Sequence, residues 1–155
     1  MKLAEALILR ADLKKRAEQV RERLRRNAKI QEGDRPAESP EALLAEFGGI
    51  AAEMESLIRR VHWTNSNVPF EGELRITDAI AMRDVLDMRI RAMRDLISAA
   101  SEPERPFTRS EIKFVATVDT AAFQKQLDEL SRQRRSLDTR LQALNWQVDL
   151  LVASL

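Results

Sequence analysis

A chain of 155 residues, 44% of them hydrophobic, is long enough to bury one substantial core. Its 26 Lys and Arg against 25 Asp and Glu leave a net charge of +1, so no global field draws it to nucleic acid or to an anionic membrane. The absence of cysteine excludes disulfides, thiolate nucleophiles and thiolate metal sites, and no run approaches the ~18 apolar residues of a membrane-spanning helix.

The opening residues, MKLAEALILRADLKKR, do not read as a secretion signal, because Glu5, Arg10 and Asp12 interrupt the apolar run. Cytoplasmic residence is the expectation. A first helix is predicted over about residues 2–28. Leu3, Ala6, Arg10, Leu13, Ala17, Val20 and Leu24 recur at steps of three and four, and Arg10 is the one polar member of this seam. Its second half is basic: Lys14 to Lys29 holds eight Lys and Arg against two Glu.

Gly33, Pro36 and Pro40 mark a loop, with Ser39 placed as a helix N-cap and Pro40 as the first helical residue. A second helix is predicted over about 40–63 on the seam Leu43, Phe47, Ile50, Met54, Leu57 and Val61. Leu44, Ala51 and Ile58 widen its apolar face, which implies more than one neighbour. Gly48-Gly49 inside it predicts close approach of a partner backbone. Between Glu32 and Glu55 there are seven acidic residues and one basic one, so an antiparallel hairpin of the two helices would set acidic beside basic. Such pairing disfavours nucleic acid as a partner. A polyanion-binding alternative would use Lys14, Arg21, Arg25 and Arg26.

Residues 68–76, VPFEGELRI, read as a hairpin turning at Glu71-Gly72. Thr77 is the expected cap of a third helix over about 77–100, with the seam Ala79, Arg83, Leu86, Ile90, Met93, Ile97 and Ala100; Met82 could replace Arg83 in the register. After a connector holding Pro103 and Pro106, residues 110–118 alternate as a half-buried strand would, paired within the chain or with another subunit. The last helix is expected over about 119–151, capped by Asp119. Phe123, Leu127, Leu130, Arg134, Leu137, Leu141, Leu144, Val148 and Leu151 carry its seam, with Arg134 the polar exception. At ~1.5 Å per residue this rod would be about 48 Å long, more than one small core requires.

Three seam arginines, Arg10, Arg83 and Arg134, demand carboxylate or carbonyl partners and are expected to act as polar specifiers of register or subunit number. His62 is the only histidine and has no carboxylate one turn away, so no metal site is expected. None of the H-E-x-x-H, phosphate-loop, G-x-S-x-G or Glu-x-x-His patterns occurs, so neither catalytic residues nor a cofactor is assigned. Trp63 and Trp146 are read as packing anchors.

Four stretches, MKLAEALILRADLKKR, HWTNSN with the hairpin after it, RSEIKFVATVD and LDTRLQALNW, resemble a family of small bacterial proteins, some of which carry the name septicolysin. The resemblance implies a helical, oligomer-forming cytosolic protein and supplies no catalytic residues. The pore-forming activity that the name suggests conflicts with this chain's lack of a membrane-length apolar segment.

The expected fold is mainly α: one domain over 1–155, an antiparallel bundle of four long helices with a small β element made of a hairpin and one strand. The expected function is that of a non-enzymatic, self-associating scaffold or interaction protein. Its partner is itself, as a dimer or a higher homo-oligomer, through Leu141, Leu144, Val148 and Leu151.

Overall fold

The computed structural model describes residues 1–102 and 114–152. Four helices, α1 (Leu3–Arg26), α2 (Pro40–Asn67), α3 (Ile76–Ser101) and α4 (Thr120–Gln147), make up most of the chain. Between α2 and α3 lies an antiparallel hairpin of β1 (Pro69–Glu71) and β2 (Leu74–Arg75). The fold is mainly α, and the chain divides into two compact units, Met1–Pro69 with Gln142–Leu155, and Phe70–Leu141.

In the first unit α1 and α2 pack antiparallel. Arg23, near the end of α1, reaches Glu38 and Glu46 at the start of α2. The buried residues of α2 are Leu43, Ile50, Leu57, Val61 and Thr64, which follow the heptad seam and extend it by one step. On α1 they are Leu3, Ala4, Ala6, Leu13 and Val20. Arg10 is exposed, contrary to the seam expectation. Half-buried Leu9 stands one residue earlier and keeps the three–four rhythm from Ala6 to Leu13, so no polar specifier sits there.

Helix α2 runs four residues past its expected end. The Thr64 hydroxyl donates to the Arg60 carbonyl at 2.8 Å and the Asn67 amide to the Trp63 carbonyl at 2.8 Å, while Val68 N–H closes on Thr64 O. Pro69 then ends it, lacking a donor. A Cβ placed on Gly48 or Gly49 would meet nothing within 4 Å, so the close approach expected there is absent. Nothing in the described residues explains this pair. Each Gly→Ala substitution should therefore raise unfolding free energy by up to ~1 kcal/mol, read from urea melts; a loss of stability would reveal a contact not described.

The C-terminal residues of this unit depart most from the sequence reading. Helix α4 stops at Gln147, not near 151. The residues beyond it form a clasp on the chain start. Leu3 N–H donates to Val148 O and Leu150 N–H to Met1 O, both at 2.9 Å. Leu151 N–H donates to the hydroxyl of fully buried Thr64 at 3.0 Å. Lys2 adds a 3.0 Å ion pair to Asp149, whose carboxyl this hydrogen bond holds below the usual carboxylate range. These partners satisfy tail amides that would otherwise continue the helix.

In the second unit α3 and α4 are antiparallel around Ile90, Leu127 and Leu130, with Leu86, Met93 and Ile97 packed against them. Helix α3 begins at Ile76, one residue early. The Asp78 carboxylate takes Arg75 N–H at 2.7 Å, so Thr77 lies inside the first turn and is not the cap. Gly72 supplies the positive φ, +57°, that the hairpin turn needs at Gly72-Glu73. Asp119 caps α4 as expected, accepting from Ala121 N–H and Ala122 N–H at 3.0 and 3.1 Å. Of the strand expected over 110–118, residues 110–113 lie outside the described residues. Phe114–Val118 carries no strand, so the described sheet has two strands.

Candidate interaction surface

Arg83 and Arg134 stand where the seams of α3 and α4 meet, and both find acidic partners inside the second unit. Arg134 reaches Asp87 at 3.1 Å and Asp138 at 3.7 Å; Arg83 reaches Asp84 at 3.2 Å and the same Asp138 at 3.7 Å. The hydrogen bond from Arg134 to Asp87 raises the guanidinium pKa above its ordinary value. Two arginines and the two bridging aspartates thus zip α3 to α4 with ion pairs. All four stay about one-third exposed, so solvent screening keeps the cluster's contribution to stability small. Every charge in it is matched, which leaves no vacancy for an external anion.

Beyond this zipper a groove of about 650 Å³ is lined by both α3 and α4. Its floor is apolar: Met93 and Leu96 from α3, Phe123 and Leu130 from α4. Its rim carries both signs, with Arg89 and Lys125 against Glu129. Gln133 and then Arg132 hydrogen-bond the Glu129 carboxylate and hold its pKa below the usual range. Leu96 also borders a second hollow of about 320 Å³ lined by Phe114 and Val115. The seam heptads were legible in the sequence, but this groove was not, because it joins the seam residues Met93, Phe123 and Leu130 to Ala92 and Leu96, which stand one position off the α3 seam.

The residues proposed for oligomer contact lie elsewhere. Leu141 is buried within the chain, Leu144 is half-buried on α4, and Val148 and Leu151 have left the helix for the half-buried tail. The apolar helical stripe on which that expectation rested is therefore not formed. Of the residues that widen the face of α2, Leu44 and Ala51 are exposed and Ile58 is half-buried. Trp63 and Trp146 are both exposed and do not serve as buried anchors.

Within the basic run of α1, three arginines pair with the run's two glutamates, which leaves most of its positive charge uncompensated by its own helix. Arg21 pairs with Glu18 at 2.8 Å, and Arg25 and Arg26 pair with Glu22 at 3.7 and 3.4 Å. Only Arg23 crosses to the acidic residues of α2 and the loop before it, so the expected side-by-side neutralisation is limited to that residue. Lys14 is exposed on the same helix. Labelled duplex DNA should bind no tighter than about millimolar at physiological salt. A micromolar constant with a steep salt slope, abolished by Arg21→Glu, Arg25→Glu and Arg26→Glu together, would overturn this.

Among the described residues no three His, Asp or Glu side chains converge as a metal site, and His62 is exposed. No described helix is long and apolar enough to cross a membrane.

Two antiparallel helix pairs, one small hairpin and an open apolar groove define a mainly helical protein. The chain belongs to the family of unknown function DUF6847, whose model matches residues 10–150. It is similar to a functionally unknown conserved protein from Corynebacterium diphtheriae, known from a crystal structure. The two share 36% identity over 97% of this chain and 99% of that one, with a TM-score of 0.92. No curated protein matches it.

Proposed function

We propose that this protein is a non-enzymatic, self-associating helical scaffold of the cytoplasm. The observation that supports this reading is the groove between α3 and α4, where an apolar floor of Met93, Leu96, Phe123 and Leu130 lies open to solvent. Apolar surface of that kind normally marks an interaction site. Its lining is suited to packing rather than to chemistry, since the polar groups are long, flexible rim side chains rather than a convergent set. Closed symmetry is the usual way for identical chains to bury such a surface, and a dimer is its commonest form.

Light scattering across a dilution series tests the reading. The expected result is a species heavier than the 17.7 kDa chain that dissociates on dilution. A well-folded species that stays at the chain mass at every concentration would refute self-association.

A further inference from the structure

Helix α3 carries two heptad seams. One, running through Leu86, Ile90, Met93 and Ile97, packs on α4. The other, rotated by one residue, is Met82, Val85, Arg89, Ala92, Leu96 and Ala99, and all six are exposed. Met82 is 49%, Val85 54% and Leu96 39% exposed, and neighbouring Met88 is 67% exposed. Steps of three and four sustained over six positions are the spacing by which one helix receives another. Its second half forms one wall of the groove, where Arg89, Ala92 and Leu96 face Phe123, Gln126 and Leu130 of α4.

We infer that this second seam is the self-association surface, and that the helix seated on it is α3 of a second copy, running antiparallel across a two-fold axis. The inference rests on the self-association reading above and names the surface that performs it. Two complementarities point to a second copy. The first is size. Antiparallel heptads set the two core positions opposite each other, so Met82 meets Ala99 of the second copy, Val85 meets Leu96, and Arg89 meets Ala92. At two of these three layers a long side chain faces an alanine, which lets the helices approach closely. The second is charge. Arg89 stands in the seam and Asp95 beside it, and neither has an ion-pair partner among the described residues. Over the small Ala92 of the second copy, the Arg89 guanidinium can reach Asp95 one turn further along. Because the axis repeats the contact, each copy supplies both signs and both sizes. An unrelated partner helix would have to match this alternation separately.

The test compares Val85→Glu and Leu96→Glu with Ala11→Glu, an exposed position on α1. Both α3 variants should keep their helical circular dichroism and weaken self-association about a hundredfold or more, the scale set by a carboxylate trapped unpaired in an interface; Ala11→Glu should not. The chain has no cysteine, so single cysteines at Ala92 and Met82 can carry nitroxide labels for distance measurement. About the proposed axis the Ala92 pair is offset roughly 4.5 Å along the helix and the Met82 pair roughly 26 Å, so the Ala92 labels should be much the closer. An unaltered wild-type assembly in both α3 variants, or equal label distances at the two sites, overturns this inference and leaves self-association standing. A wild-type chain that stays monomeric overturns both.

Discussion

A chain truncated after Gln147 should lose most of the stability of the unit containing α1 and α2. The missing residues bury Leu150 and accept from or donate to Leu3, Met1 and Thr64. Losing a buried leucine removes ~1.5–3 kcal/mol. Leaving the Leu3 amide without its Val148 acceptor and the Met1 carbonyl without its Leu150 donor adds ~1–3 kcal/mol for each group that water does not reach. The sum is on the order of 5 kcal/mol, against ~5–15 kcal/mol for a whole domain. Urea melts followed by circular dichroism measure it, and a midpoint equal to that of the full chain would show that the clasp is ornamental. Lys2→Met, which removes the ion pair to Asp149 and an exposed hydrogen bond to the Gln147 carbonyl, should change the midpoint little. The same clasp has a pH signature. The folded-state pKa of Asp149 is lowered, so its contribution is complete above the ordinary carboxylate range and fades as pH falls through the folded value. The truncated chain should lack this acid-side component.

Leu13→Ala should destabilise the protein by about 2–5 kcal/mol, the range for a fully buried leucine whose surroundings cannot collapse into the cavity. Leu13 is completely buried on the face that α1 turns to α2. Arg10→Ala, three residues earlier in the expected seam, should change stability by no more than ~0.5 kcal/mol, because that guanidinium is exposed. Equal losses at the two positions would mean that Arg10 is buried in the folded protein after all.

These two positions show what a heptad pattern can and cannot say. Leu3, Ala6, Leu13 and Val20 were recognisable as core because apolar residues recur at the period of the helix. Arg10 was misread because two neighbouring registers, one through Leu9, satisfy the same spacing. On α3 the ambiguity between Met82 and Arg83 has the opposite outcome: Arg83 enters the charge zipper while Met82 remains in water. Periodicity names a face only to within one residue, and one residue is about 100° around the helix.

The candidate surface was hidden for a related reason. Its members Arg89, Ala92 and Gln126 sit on no continuous apolar run, and the seam residue Phe123 joins them only when α3 and α4 are packed together. The ion pairs beside it that cross between the helices, Asp87 with Arg134 and Asp138 with Arg83, join residues far apart in sequence. The arginines were visible as exceptions to their seams; which aspartates they would meet was not.

Local chemistry alone determined the number of helices, the Ser39 and Asp119 caps, the hairpin around Gly72 and the buried seam of α2, because each depends on residues within a turn or two of one another. Tertiary structure decided where α4 ends, since its last residues have better hydrogen-bond partners in Met1, Leu3 and Thr64 than in their own helix. It also decided which half of each double seam faces water. That choice depends on the neighbouring helix, whose position no local pattern encodes.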